Sequence, residues 1–339
     1  MIATQYNPYS HIKYPLASSI VTAFENGVVK LNQKINQVAA SKSVLVADVY
    51  QVFKANSTQL TNAYVNSLYP IDANLDFQPN QTGHDLIAET INSKLPKPSY
   101  DLWVGGIQVT GLNYTDVLGD GTVSYDATTN TLTLNGAKID TYTKGHVIHS
   151  KMNELTIQIV GENNTITAAS AYWGIRAESG SLTLTGDGKL TVNAKNSQGI
   201  SAAEDLTITG AAHVTADARD IALCSDGGAV CVDENAVVKS FSETYYTIYA
   251  QDGDIDISGS AQVYGEGYAC MQAGYYYDDA NYGYGDIRIS GNAVVSSIST
   301  SENWNGLYTP LGNVEISGTA QVTTESYFPA IYAGYNVSI

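Results

Sequence analysis

Gly199-Ile200-Ser201-Ala202-Ala203-Glu204-Asp205-Leu206-Thr207-Ile208-Thr209-Gly210 closes on an apolar-x-apolar-x-Gly unit that returns along the chain. The unit starts at Leu132 (LTLNG), Ile157 (IQIVG), Leu182 (LTLTG), Leu206 (LTITG), Ile255 (IDISG), Ile287 (IRISG) and Val314 (VEISG). A degenerate copy starts at Val230 (VCVDEN), and Val337 begins another. Successive spacings are 25, 25, 24, 24, 25, 32, 27 and 23 residues. Eight positions on, six copies carry Leu190, Val214, Val238, Val263, Val295 and Val322. A third short segment closes the turn: Ile175-Arg176-Ala177, Ile200-Ser201-Ala202, Ile221-Ala222-Leu223, Ile248-Tyr249-Ala250, Leu307-Tyr308-Thr309 and Ile331-Tyr332-Ala333. Three alternating segments per coil, separated by Gly, Asn or Asp turns, predict a parallel β-helix. A propeller blade would need four strands and about 40 residues. Eight coils stacked at about 4.8 Å would make a rod roughly 38 Å long.

The period covers residues 131–339, where the solenoid is expected to be truncated at its C-terminus. Residues 101–130 do not fit the coil. Leu102–Val109 and Thr122–Tyr125 look like strands, and this segment is read as the β cap that protects the first edge of a solenoid. Pro96 and Pro98 break any helix and make residues 96–100 a linker.

Residues 1–95 alternate differently. Ile2–Tyr6 reads as a strand, and a helix is expected from about Pro15 to Ala40, with an apolar face of Ile20, Phe24, Val28, Leu31, Ile35 and Val38. Val44–Tyr50 is a continuous apolar run of the buried-strand kind. A last helix after Pro79 holds Leu86, Ile87, Ile91 and Leu95. The whole is a mainly β chain, a parallel β-helix preceded by a partial α/β segment.

Charge separates the halves as well. Residues 1–99 carry seven Lys and six Asp/Glu, whereas residues 100–339 carry nine Lys/Arg and 27 Asp/Glu. That balance argues against a nucleic-acid partner, whose phosphates need a basic surface. No apolar run reaches the roughly 18 residues of a membrane span. Cys224, Cys231 and Cys270 lack zinc spacing and make no disulfide framework.

Asp76-Phe77-Gln78-Pro79-Asn80-Gln81-Thr82-Gly83-His84-Asp85-Leu86-Ile87-Ala88 resembles the last conserved block of SGNH (GDSL-type) hydrolases, and Tyr6-Asn7-Pro8-Tyr9 resembles a strand end of bacterial members. The resemblance covers about the first 95 residues, the C-terminal half of such a domain. It implies a general base at the position of Gln78, oriented by Asp76, with His84 in a structural place. Glutamine cannot take a proton from a serine, and the family's Gly-Asp-Ser nucleophile block is absent from this sequence. The chain as it stands is therefore expected not to be an enzyme, and the segment to be the remnant of an esterase domain. The repeats of the second half resemble the secreted clostridial carbohydrate-binding β-helix family, most clearly at Gly199–Gly210. That resemblance implies a secreted or cell-surface module for acidic or plant cell-wall polysaccharide, often with calcium. The alternatives are a fragment of an SGNH esterase acting on acylated polysaccharide, or a structural stalk or adhesin.

The residues offer their own candidates. The longest spacing holds Tyr275, Tyr276, Tyr277, Tyr282 and Tyr284 among Asp and Gly, a projecting loop whose rings could stack on sugar faces. Tyr249, Tyr308 and Tyr332 share the middle position of the third segment and are expected to form an outward stripe, although solenoid tyrosines also stack on one another. Asp252, Asp254 and Asp256 alternate at a turn, and Asp278 and Asp279 sit in the loop; together they are the candidate calcium ligands. A polysaccharide lyase would need a cationic base beside such a cluster. Arg176, Arg219 and Arg288 are the cations of the coils, and only Arg219, with Asp220, has an acidic residue evidently beside it.

Overall fold

The computed structural model describes residues 1–7, 18–56, 58–62, 64–65, 73–74, 76–141, 145–169, 172–278 and 280–339. Pro8, Tyr9, the expected helix start at Pro15, and Asp279 lie outside them. The chain divides into two compact units, Met1–Lys97 and Pro98–Ile339.

In the first unit, Ile2–Ala3 pairs in parallel with Val46–Ala47. Helix α1 (Ser18–Ser41) buries Val28, Asn32 and Ala39, while Phe24, Leu31 and Val38 face solvent. The expected single apolar face is thus split. Asn32 is buried because its amide makes both backbone hydrogen bonds of Gln5, donating to the carbonyl at 2.8 Å and accepting from the N–H at 2.7 Å. The apolar run Val44–Tyr50 is not one strand either. Asp48 interrupts it as the N-cap of α2 (Val49–Ala55), accepting from the Gln51 N–H, and Val49 and Tyr50 are already helical. Helix α3 (Gln81–Asn92) is capped by Asn80 and ends before Leu95. Its first turn presses on the Leu60 carbonyl so closely that a Cβ on Gly83 would stand 2.2 Å from that oxygen.

The second unit is a β-solenoid of stacked coils, each coil giving one strand to each of three parallel ladders. The first ladder runs from Thr131–Asn135 to Val337–Ser338. The second and third merge into one sheet because Val237–Ala250 and Gln262–Ala273 run unbroken through the corner between them. The second ladder stacks Asn164, Leu190, Val214, Val238, Val263, Val295 and Val322 in one column. The third stacks Ile148, Ile175, Ile200, Leu223, Ile248, Met271, Leu307 and Ile331. Burying each apolar side chain of these columns contributes about 1.5–3 kcal/mol, so the repeat itself is the stabilising unit. Two antiparallel pairings close the N-terminal end: Val123–Asp126 on the first strand of ladder one, and Ser99–Val104 on the first strand of ladder three.

The registers depart from the sequence reading by two residues at two places. Ile157 sits beneath Leu132 as expected, but the next residue in that column is Leu184, not Leu182. Likewise Leu223, not Ile221, stacks on Ile200. A slip of two keeps every side chain on its own face, so alternation alone is blind to it. The glycine of the unit is the turn that ends ladder one. Gly210, Gly259, Gly291 and Gly318 have φ of 74°, 67°, 69° and 74°, and in the degenerate copy Glu234 takes this left-handed place at 55°.

Candidate functional site

The middle residue of each third-ladder strand points away from the core. Stacking places Trp103, His149, Arg176, Ser201, Cys224, Tyr249, Gln272, Tyr308 and Tyr332 in one outward column. Three residues earlier, where the chain turns the corner into the strand, a second side chain folds back toward the same face. Tyr246 stacks on Tyr249 with ring centroids 4.6 Å apart. Trp304, on the turn before Leu307–Thr309, meets Tyr246 edge to face at 5.7 Å and Tyr308 edge to face at 6.1 Å. Tyr308 in turn lies 5.2 Å from Tyr332. Tyr249, Tyr246, Trp304, Tyr308 and Tyr332 therefore form one aromatic strip.

A cleft of about 330 Å³ opens beside Trp304, lined by Thr244, Tyr245, Tyr246, Tyr268, Ala269 and Trp304. Tyr245 and Tyr268 are exposed on its walls. Gln272 lies in the outward column between Tyr249 and Tyr308 and is only 5% exposed. Its amide donates to the Gly274 carbonyl at 2.9 Å, and its Oε1 has no hydrogen-bond partner among the described residues. Burial pushes the Tyr246 hydroxyl up to about 12 and raises that of Tyr249 as well, so both stay protonated, able to donate and accept. Flat faces with hydroxyls at their edges suit a ligand whose own faces are C–H and whose rim is hydroxyl.

The five loop tyrosines are built differently. Tyr275–Asp278 and Asn281–Gly283 make an antiparallel hairpin in which Tyr276 faces Tyr282. Tyr276, Tyr277, Tyr282 and Tyr284 are exposed, Tyr277 by 80%. Tyr282 and Tyr284 meet edge to face at 5.3 Å. Tyr275 follows Gly274, whose carbonyl accepts from Gln272, so the hairpin base adjoins the outward column. Sequence reasoning missed Tyr245, Tyr246, Tyr268 and Trp304, which sit at corners and turns outside the repeating positions. Their signal was the count: tryptophan occurs three times, at Trp103, Trp173 and Trp304.

The expected calcium ligands have another partner. Asp256, Arg288 and Glu315 are successive outward residues of ladder one. The Arg288 guanidinium binds Asp254 at 2.5 Å, Asp286 at 2.5 Å and Asp256 at 3.4 Å. Asp254 and Asp256 thus already surround a cation. The sequence reading of Arg288 as lacking an acidic cluster is corrected, because stacking brings the carboxylates from the coil before. Arg176 likewise pairs with Asp226 at 2.7 Å. The carboxylates raise the proton affinity of Arg288, which makes it no base. Asp252 and Asp278 are exposed, and Asp278 accepts the Ala280 N–H at 2.9 Å. Among the described residues no group of three or more His, Cys, Asp or Glu side chains could hold a metal ion.

Burial pushes the thiols of Cys231 and Cys270 up to about 11 and that of Cys224 higher still, which leaves no nucleophilic thiolate. In the first unit, Asp76 accepts from the Gln78 N–H and the Asn62 amide, both at 3.0 Å. His84 is solvent-facing on the first turn of α3. Among the described residues no helix is long and apolar enough to cross a membrane.

Residues 113–274 match the family described as carbohydrate-binding domain-containing protein. The matched span includes Tyr245, Tyr246, Tyr249 and Tyr268, and ends before Trp304. No curated protein and no solved structure matches the chain.

Proposed function

We propose that the chain is a non-catalytic module of a secreted or cell-surface protein, in which the aromatic strip of the third ladder holds a polysaccharide. Residues 1–95 are, in this reading, the remnant of an SGNH-type esterase domain. The observation that carries it is the strip itself: five aromatic side chains in successive ring contacts beside an open cleft, on a solenoid whose residues 113–274 match a carbohydrate-binding family. Asp254 and Asp256 hold no calcium in this reading, since they already enclose Arg288.

The test is retention of the purified chain on insoluble neutral and acidic polysaccharides, with and without a chelator. Wild type is expected to be retained in both conditions. Trp304→Ala and Tyr246→Ala should be released, whereas alanine at Tyr275, Tyr276 and Tyr277 together should weaken retention less. Retention of Trp304→Ala equal to wild type would move the site to the hairpin, and release by chelator would restore a metal. Neither the chain nor its Gln78→His variant is expected to hydrolyse a p-nitrophenyl ester.

A further inference from the structure

We infer that the polysaccharide is a linear, uncharged chain lying parallel to the rod axis, and that it engages a second aromatic platform at the N-terminal end of the same face. This rests on the reading just given. The outward column from Trp103 to Tyr332 is continuous through eight strand-to-strand steps, roughly 38 Å at about 4.8 Å each. Its N-terminal end repeats the construction of the C-terminal strip. His146 lies 4.8 Å from His149 and Trp103 stacks on His149 at 5.4 Å. The Arg176 guanidinium sits 5.5 Å from the Trp173 ring, and exposed Tyr172 lies 6.3 Å from His146. Corner and outward residues are three apart in His146/His149, Trp173/Arg176 and Tyr246/Tyr249 alike.

Between the two platforms stand Ser201 and Cys224, the shortest side chains of the column, both buried. Arg176 crosses this stretch, donating to the Ser201 hydroxyl and to Asp226. Three steps, about 14 Å, separate the Arg176 and Tyr249 positions. The Arg176–Asp226 pair over these buried residues is a polar floor between two aromatic ends; it fits an extended ligand that touches both, and would leave a short one half its contacts.

Charge decides the class. Residues 100–339 hold 27 acidic against nine basic side chains. The cations near the N-terminal platform are already matched: Arg176 with Asp226, and Lys151 with Glu178. A polyuronate would meet net negative charge with no unmatched cation on this face among the described residues.

The experiment is titration of the whole chain with cello-, xylo- and manno-oligosaccharides of about two to ten units, and with oligogalacturonates of the same lengths. For the neutral series that binds, affinity is expected to climb with length until the chain spans the face. Trp304→Ala should weaken short and long oligomers alike, roughly tenfold. Trp173→Ala should weaken only the long ones by a similar factor, and Trp173→Phe, which keeps a ring, should restore most of the loss. Equal circular dichroism and melting of the variants exclude misfolding. Affinity that stops rising at two or three units, or long-chain binding indifferent to Trp173→Ala, overturns the second platform while leaving glycan binding intact. Oligogalacturonate binding as tight as the neutral series overturns the uncharged class. No binding of any oligomer, with no retention on any polymer, overturns the reading beneath both.

Discussion

The first ladder points outward a column of Thr131, Thr156, Thr183, Thr207, Cys231, Asp256, Arg288, Glu315 and Ser338, and the third points outward Trp103, His149, Arg176, Ser201, Cys224, Tyr249, Gln272, Tyr308 and Tyr332. Both columns ride on the same coils, and behind each stands an apolar column of the shared core. Threonines beside one another satisfy a strand surface and need no ligand. Where ladder one becomes charged, its charges answer each other around Arg288. The third face instead leaves aromatic faces and tyrosine hydroxyls turned outward. Inward residues make the rod, and outward residues make one of its faces a site.

Breaking an inward residue should injure both faces. Ile200→Ala empties a fully buried place in ladder three and is expected to cost about 2–5 kcal/mol by chemical denaturation. Thr207→Ala, on an outward place of ladder one, should stay within about 0.5 kcal/mol of wild type. Equal losses would erase the distinction between inward and outward.

Arg288→Met leaves Asp254, Asp256 and Asp286 facing one another. The expected loss is about 1–2 kcal/mol, less than for a fully buried pair because the guanidinium is 39% exposed. Burial already raises the Asp256 carboxyl, and losing the cation raises it further. The deficit should therefore shrink as pH falls and the Asp256 carboxylate takes up a proton. Melting curves from pH 7 down to 4 would show a constant gap if the carboxylates did not interact.

Glu234 holds a left-handed turn that glycine holds in neighbouring coils, so Glu234→Gly is expected to stabilise by about 1 kcal/mol. A destabilised variant would mean that the Glu234 side chain contributes more than its backbone costs.

An effect that appears only at low pH separates the two ends of the third face. Burial, with help from His149, Arg176 and Lys151, lowers His146 to about 4, against the opposing pull of Glu178. The unfolded chain binds that proton more tightly, so the cost is absent above about pH 6.5 and grows as pH falls toward about 4. His146→Phe should flatten the melting temperature over that window and leave the steeper carboxylate limb below it. An unchanged slope would mean that His146 is as free to protonate in the fold as outside it.

How far the sequence reaches is clear from particular residues. Leu190, Val214 and Val238 repeat because they stack, so the rod was legible. The two-residue slips at Leu184 and Leu223 were not, because alternation survives them. Tyr249, Tyr308 and Tyr332 could be read into one column from their shared segment position. Gln272 between the first two could not, because the corner of its coil is two residues shorter than that of the coil before, which moves its third segment off the expected spacing. Trp304 meets Tyr246 across 58 residues of sequence and Arg288 meets Asp254 across 34, contacts that only the stacking of coils creates. In residues 1–95 the error was different: Asp48 is an N-cap, and a cap inside an apolar run ends a strand that hydrophobicity alone would extend.

All three tryptophans of the chain belong to the third face, which makes intrinsic fluorescence the most direct probe of what that face does. In a Trp103→Phe, Trp173→Phe variant excited beyond the tyrosine absorption band only Trp304 emits, and a retained neutral polysaccharide, added in soluble form, is expected to shift or quench that emission saturably, over the concentration range in which the chain binds. Binding of the polysaccharide with Trp304 emission unmoved would contradict the assignment of the aromatic strip as the site.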